Sequence, residues 1–172
     1  PKTELDKKGA SIGLPLSVLH TISSFDKREF DIFVIDQRVD ENWRNKLISL
    51  LKKSEFLCVG ISTMTGAQIE WGLKAAAIIR KFSPLTKIVF GGVHPTIYPE
   101  QTVSYPLVDI VVRGDGELTF HKLVHALYNN QDLGEIKGLC YVKNNKIINT
   151  GIAELVNLDD FSEPDYSLVN VS

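Results

Sequence analysis

The sequence is poor in cysteine and has no long hydrophobic run, and each scarcity excludes a class of protein. Its 172 residues include only two cysteines, Cys58 and Cys140. A disulfide scaffold needs more cysteines, a structural zinc site needs closely spaced Cys and His pairs, and a cubane iron–sulfur cluster needs three or four thiolates. The apolar runs also fall short of the roughly 18 residues that a transmembrane helix needs.

Neither sign of charge is in excess. Lys and Arg number 19 against 21 for Asp and Glu, so the formal net charge is -2. General binding to nucleic acids or to a membrane surface depends on a basic excess, so we expect neither partner. The first residues do not resemble a secretory signal, and a low cysteine count suits a reducing compartment, so we expect a cytoplasmic protein.

Short apolar runs alternate with helical patterns along most of the chain. Strands are predicted at 31–36, 56–62, 87–90 and 108–112. Helices are predicted over about 15–25, from Trp43 with Asp40 as its N-cap, from Ile69 until Pro84, and from Phe120 to Asn129. Near-continuous apolar strands that alternate with helices are typical of an α/β protein with a parallel sheet and helices on both faces.

The two ends of the chain depart from this alternation. Residues 138–142 and 146–149 flank an Asn-rich turn and predict a β-hairpin. The sequence therefore predicts an α/β domain over 1–135, a hairpin extension over 136–150 and a linker over 151–172. Because a doubly wound domain normally opens with a central strand, we expect the first strand upstream of Pro1.

Three of the predicted strands lead into loops that are rich in glycine or hydroxyl side chains. The loops contain Ser62, Thr63, Met64, Thr65 and Gly66, then Gly91, Gly92, Val93 and His94, then Gly114, Asp115, Gly116 and Glu117. Open α/β sheets bind their ligands outside the carboxyl ends of the strands. Side by side, the loops would line a cleft for a large ligand that contacts mainly backbone.

Each loop also has an interpretation that needs no ligand. Hydroxyl side chains after the second strand could cap the next helix, and paired glycines could form a tight turn. Asp115 and Glu117 suit the start of a helix, where a carboxylate favours the helix dipole. His94 alone is more typical of a turn histidine than of a ligand. A binding cleft is favoured only because all three loops follow consecutive strands.

Several motifs that would indicate another function are missing. No GxGxxG, GxxxxGK[ST] or GxSxG sequence is present, which disfavours a dinucleotide site, a phosphate loop and a hydrolase nucleophile. A receiver domain would need Asp where Ser62 stands. His121 and His125 have the i, i+4 spacing of a metal clamp, but they lack a third ligand, so a solvated helix face is favoured. No catalytic residue is predicted.

The three loops, in this order, resemble the cobalamin-binding domain of cobalamin-dependent radical S-adenosylmethionine enzymes. The resemblance covers almost the whole chain and is carried by the stretches Val59–Gly66, Gly91–Thr96 and Gly114–Phe120, with support from Ile12–Leu16, Phe30–Asp36 and Leu158–Tyr166. It implies a flavodoxin-like (Rossmann-like) fold with a corrinoid, cobalamin, on the carboxyl-end rim of the sheet.

The resemblance also implies roles for individual residues. Ser62, Thr63 and Thr65 would contact the corrin amides or the nucleotide tail. Gly91 and Gly92 would let the base of the tail lie against the backbone. The remaining wall would be formed by Gly114, Gly116 and Glu117.

The chain departs from better-known cobalamin domains in two ways. It has no DxHxxG motif, so the corrinoid is expected without a histidine ligand from the protein. It has no CxxxCxxC motif, so the iron–sulfur cluster and S-adenosylmethionine would belong to a further domain, and the parent would be a radical methyltransferase or oxidative cyclase. Two alternatives stay open: a degenerate scaffold or interaction domain without cofactor, and a flavin- or nucleotide-binding domain.

Overall fold

A computed structural model describes residues 13–153, 157 and 163–169 of the chain. The described part contains one five-stranded sheet whose strands follow one another in sequence order. The strands are β1 (Cys58–Ser62), β2 (Lys87–Gly91), β3 (Ile110–Val112), β4 (Leu139–Lys143) and β5 (Lys146–Asn149). The β1–β2 and β2–β3 pairs are parallel, whereas the β3–β4 and β4–β5 pairs are antiparallel.

Helices connect the strands on both faces, as expected for the α/β class. They are α1 (Leu16–Ile22), α2 (Trp43–Lys53), α3 (Ala67–Phe82), α4 (Val93–Ile97), α5 (Pro99–Val103) and α6 (Gly116–Tyr128), followed by a 3-10 turn at Tyr166–Leu168. In the described part of the chain, none of these helices is long and apolar enough to cross a membrane.

The central strand β2 divides the core into two layers. Ile88 and Phe90 pack in one cluster, with residues of α2 and α3, whereas Val89 packs in another, with residues of α6. All three side chains are almost completely buried. Because successive side chains of a strand point to opposite faces, this alternation places helices on both sides of β2. The parallel, two-sided arrangement predicted from the apolar runs is confirmed.

The strand predicted at 31–36 is wrong. These residues have no strand pairing in the described part of the chain, where β1 pairs with β2 alone. Their apolar side chains are nevertheless used: Ile35 packs against the first core cluster, and Phe33 meets Phe56 edge to face at 6.0 Å between ring centroids. The apolar run correctly predicted that these side chains pack against other apolar side chains. A strand also needs a neighbouring strand with which its backbone forms hydrogen bonds.

The end of α1, the start of α2 and two short helices also differ from expectation. Helix α1 is shorter than the predicted 15–25, and α2 begins after Asn42 with no side-chain cap. The predicted N-cap, Asp40, instead accepts a hydrogen bond from the Asn42 N–H at 2.9 Å and pairs with Lys46 at 2.6 Å. The short helices α4 and α5 were not predicted, because Pro95 and Pro99 interrupt any helical period.

The predicted hairpin is present and extends the sheet. Asn144 and Asn145 both have positive φ, 52° and 59°, as a two-residue hairpin turn requires. The hairpin pairs with β3 through β4, so it is continuous with the parallel strands. Half of the predicted linker lies outside the described residues; in the described half, Asp165 forms an ion pair with Lys27.

Both cysteines are free and act as packing residues. Cys140 is buried and Cys58 is partly buried. Burial raises the pKa of both thiols, that of Cys58 to about 12. Because the thiolate is the reactive form, such thiols are poor nucleophiles at neutral pH.

Candidate functional site

The three predicted loops meet at one edge of the sheet. Ser62 and Gly91 are partners in the parallel register of β1 and β2, and Phe90 and Val111 are partners in that of β2 and β3. Each strand therefore ends at the same level and enters its loop there. We call the surface formed by residues 62–66, 91–98 and 113–117 the rim.

Backbone hydrogen bonds hold the first two loops together. The Thr63 N–H donates to the Gly91 carbonyl at 2.9 Å, and the His94 N–H donates to the Thr63 carbonyl at 3.3 Å. Gly92 lies between them at φ 95°, and a Cβ there would stand 2.8 Å from the Thr63 carbonyl oxygen. Only glycine fits this position, because both the backbone angle and the contact exclude a side chain.

Helix α4 connects the second loop to the third. The Gly114 N–H donates to Thr96 Oγ1 at 2.9 Å, and Gly114 has φ 75°. Together with the bond from His94 to Thr63, this contact ties the five-residue helix to both neighbouring loops. Thr96 was not among the predicted site residues. Its position inside the Gly91–Thr96 stretch was the available signal.

The hydroxyl side chains of the first loop do not cap a helix. Helix α3 begins after Gly66, which has φ 107°, and no side-chain cap bond is formed there. The Met64 N–H instead donates to Gln68 Oε1 at 3.0 Å. Ser62 and Thr65 are exposed on the rim, whereas Thr63 is buried, with 1% of its surface exposed. The interpretation of these hydroxyls as helix caps is therefore wrong.

The third loop combines an exposed turn with a buried carboxylate. Asp115 stands at the cap position of α6 without a side-chain cap bond, and it is exposed. Gly116 brings the loop close to α1, since a Cβ on it would lie 3.2 Å from Thr21 Oγ1. Glu117, in the first turn of α6, is only 9% exposed.

Buried polar atoms without partners concentrate at the rim. Within the described residues, six buried side-chain nitrogen or oxygen atoms have no hydrogen-bond partner, and four belong to the rim: Thr63 Oγ1, His94 Nδ1, Arg113 Nε and Glu117 Oε2. Leaving such a group unpaired costs about 1–3 kcal/mol. A polar ligand that reached these atoms would supply the missing hydrogen-bond partners.

The same surface also exposes apolar side chains. Met64, Val93, Ile97 and Tyr98 are each between 51% and 58% exposed. Tyr98 lies beside His94, with their ring centroids 5.5 Å apart. Ile97 and Tyr98 were not predicted as site residues, because the residues predicted for the second loop ended at His94.

The helical histidines lie apart from the rim, in a cluster around Phe25. The His121 and His125 rings are 4.4 Å apart, and both contact the Phe25 ring. Burial, and secondarily the neighbouring His125, lower the pKa of His121. Among the residues that the structure describes, no group of three His, Cys, Asp or Glu side chains could hold a metal ion.

Comparison with known proteins identifies relatives of one kind. A family model described as the B12 binding domain matches residues 8–124. An uncharacterised methyltransferase of Pyrococcus horikoshii is 33% identical over 98% of this chain, which covers 37% of that protein. An anaerobic magnesium-protoporphyrin IX monomethyl ester cyclase of Synechocystis is 31% identical over 68% of this chain and 23% of its own length. The chain thus spans well under half of these curated relatives.

Two solved structures share the fold. The radical S-adenosylmethionine methyltransferase TsrM from Kitasatospora setae, with cobalamin and a [4Fe-4S] cluster bound, gives a TM-score of 0.71 at 18% identity over 90% of this chain and 29% of its own. The cobalamin-dependent radical enzyme OxsB, with aqua-cobalamin and S-adenosylmethionine bound, gives 0.75 at 24% identity over 94% of this chain and 23% of its own. The sheet and helices of this chain have the same Rossmann-like arrangement as these two structures.

Proposed function

The chain belongs to the B12-binding domain family, and from that premise we propose that it holds cobalamin against the rim at the carboxyl ends of β1, β2 and β3. One observation carries the assignment of the site: buried polar atoms without a partner in the described residues gather in the three loops. Thr63 Oγ1, His94 Nδ1 and Glu117 Oε2 are members of this group, one from each loop. A ligand rich in amide groups would satisfy them.

The chemistry of these groups fits a corrinoid. The periphery of a corrin carries amide side chains, each of which donates through nitrogen and accepts through oxygen. The Glu117 carboxylate accepts from amide N–H groups, and the Thr63 hydroxyl can do either. Loops built on Gly92 and Gly114 bring backbone groups close to a bulky ligand. Polar anchors around an otherwise apolar surface are typical of cofactor sites.

The remaining predicted residues would complete the contacts. Ser62 and Thr65 would bind amides from the exposed side of the first loop, and Gly91 would admit the nucleotide tail to the backbone. We propose that His94 holds a ligand polar group through Nδ1 and does not coordinate cobalt. Bound cobalamin supplies cobalt-centred methyl-transfer or radical chemistry; this chain would position the corrinoid and exclude water.

The length of the relatives supports a larger parent protein. The chain covers 37% of the methyltransferase and 23% of the cyclase that it resembles. We propose that another domain of the same protein binds S-adenosylmethionine and an iron–sulfur cluster, and that the whole is a radical methyltransferase or oxidative cyclase. The division at 135 and 150 and a cytoplasmic location belong to this proposal.

The test is the titration of the full-length protein with hydroxocobalamin, followed by absorbance and calorimetry. We expect a complex with a shifted corrin spectrum. Replacing Thr63 by Val removes the unpartnered hydroxyl at nearly constant volume, so affinity should fall by about fivefold, the equivalent of about 1 kcal/mol. The unliganded protein should lose no stability, since the hydroxyl has no partner to lose.

Thr86 provides the matched control. It is equally buried, at 1% exposure, but its hydroxyl donates to the Phe56 carbonyl at 3.0 Å, at the opposite end of the strands. Thr86→Val should therefore lower stability and leave cobalamin affinity unchanged. Absence of any corrinoid complex with the full-length wild-type protein would contradict the proposal and favour a scaffold that binds no cofactor.

A further inference from the structure

The chain returns to the third loop of the rim after the last strand of the hairpin. A Cβ added to Gly114, which lies in that loop, would stand 3.4 Å from the Ala153 Cβ. A Cβ added to Gly138, directly before β4, would stand 2.9 Å from the same atom. The Ala153 methyl group therefore lies against two glycine positions. We call residues 149–153 the return segment.

Arg113 bonds to the return segment from the first position of the third loop. Its Nη1 donates to Asn149 Oδ1 at 2.8 Å and to the Gly151 carbonyl at 3.0 Å. The Arg113 backbone N–H donates to the Gly138 carbonyl at 2.8 Å, which fixes this residue at the end of β3. Asn149 is held in turn, because its Nδ2 donates to Glu100 Oε1 at 3.3 Å. The arginine side chain thus joins the third loop to the return segment.

The return segment buries little apolar surface of its own. Gly151 is exposed, and Ile152 has 83% of its surface exposed. Segments with few buried contacts open locally at a low cost in free energy, so the contacts with Arg113 and with the Ala153 methyl group decide whether this one stays in place. The third loop is bonded to α4 as well, through Gly114 and Thr96, and so connects the return segment with the rest of the rim.

We propose that corrinoid binding at the rim orders the chain that follows the hairpin through the return segment, with Arg113 as the positioning residue. This inference rests on the proposed function and adds a regulation of the same site. A ligand that orders the third loop also holds the backbone of Arg113, and with it the two side-chain bonds to the return segment. Because such coupling is reciprocal, a return segment that cannot dock must weaken the binding of the corrinoid.

The experiment follows amide hydrogen exchange in peptides that cover residues 149–153 of the full-length protein, with and without saturating hydroxocobalamin. In wild type we expect the ligand to slow exchange in the return segment, although this segment lies outside the proposed contacts. Arg113→Met removes the bonds and keeps a long side chain. The slowing at 149–153 should be lost in this variant, whereas slowing at 62–66 and 91–98 should persist. Its affinity for hydroxocobalamin, measured by absorbance, should fall by at least about fivefold, the lower end of typical coupling.

Ala153→Leu separates this role from a direct contact between Arg113 and the ligand. Leu extends the methyl group that lies against Gly114 and Gly138 by a branched group, so it should push the return segment away while every rim residue stays the same. We expect the slowing at 149–153 to be lost and the affinity to fall here too, and thermal melting checks that both variants fold. Ile152→Leu, at the exposed neighbouring position, should change neither quantity.

Arg80 provides the matched control for Arg113. It is also a partly buried arginine, and it donates to the Pro84 carbonyl at 2.7 Å and pairs with Asp109 at 2.6 Å, at the opposite end of the strands. Arg80→Met should therefore lower stability and leave the exchange pattern and the affinity unchanged. Hydroxocobalamin binding without slowing at 149–153, or wild-type affinity in either Arg113→Met or Ala153→Leu, would overturn the inference. Failure of the wild-type protein to bind hydroxocobalamin would instead overturn the proposed function itself.

Discussion

At the rim, glycine adopts a backbone conformation that other residue types rarely adopt. Gly92 combines φ 95° and ψ -167° with the close approach of the Thr63 carbonyl. This region of backbone conformation is essentially confined to glycine. The residue therefore fixes how the first two loops pack, whether or not a ligand is bound.

Gly92→Ala should lower the free energy of unfolding by about 1–3 kcal/mol, because Ala is strained there and its Cβ meets the Thr63 backbone. Urea unfolding of the full-length protein measures the change in the transition of this domain. Gly91→Ala is the matched control, since a Cβ on Gly91 makes an ordinary contact, 3.8 Å from the Val112 carbonyl oxygen. Equal losses in the two variants would show that the position of the glycine does not matter.

At the scale of single residues, the sequence predicted which residues lie together at the rim. It did not predict which side chain is buried or which glycine allows the loops to pack. Ser62, Thr63 and Thr65 do lie at the rim with Gly92 and Gly114. Thr63 alone is buried, and its methyl group lies against Gly72 of α3, where an added Cβ would stand 2.9 Å from it; no local pattern encodes this contact. The use of Gly92 for loop packing likewise depends on a residue almost thirty positions earlier along the chain.

At the scale of the elements, aromatic side chains hold the segment that follows α1 against α6. Phe25 contacts Phe120, His121 and His125, and Phe30 contacts His125 and Tyr128. Glu29 is the nearby carboxylate that opposes the lowering of the His121 pKa. The segment is held by rings packed against rings, so a charge on His121 is unfavourable there.

This contact should therefore make the protein less stable as the pH decreases. The pKa of His121 is lowered below its ordinary 6.5 in the folded protein, so folding favours the neutral ring. Its contribution is complete above about pH 6.5 and is lost as pH falls through that value toward the lower folded pKa. Urea unfolding at about pH 7.5 and about pH 5.5 should show that the free energy of unfolding decreases less between these two values for His121→Gln than for wild type. An unchanged decrease in the variant would contradict this origin.

Element prediction succeeded where the pattern was local and failed where it depended on a partner. The periods of α3 and α6 and the Asn-rich turn of the hairpin are complete within their own stretches. Residues 31–36 have the composition of a strand, yet no backbone pairs with them in the described part of the chain. Helix α4 is held by His94 and Thr96 contacts to other loops, which a helical period cannot reveal.

For the molecule as a whole, the proposed site occupies one end of the sheet. The carboxyl ends of β1, β2 and β3 carry the rim, whereas the hairpin of β4 and β5 extends the sheet sideways. The α/β class and the resemblance of the loops were both available from the sequence. The antiparallel pairing of β4 with β3 was not, because hairpins and their neighbours are separated along the chain.

Cobalamin should slow amide hydrogen exchange in the full-length protein at the rim segments 62–66, 91–98 and 113–117. The expected cause is ordering of loop backbone beneath the ligand, and mass spectrometry of peptides measures it. Exchange at the hairpin turn around Asn144 should not change, which serves as the internal control. Equal slowing in both regions would indicate global stabilisation and not a contact at the rim.

The bonds that α4 makes to both neighbours have a mechanical consequence. A force applied to the first loop passes through the His94 N–H to the helix and from Thr96 to the third loop. We therefore expect the three loops to move together. A residue inserted into any one of them would shift the other two, so length changes tolerated on most protein surfaces should be excluded from this one.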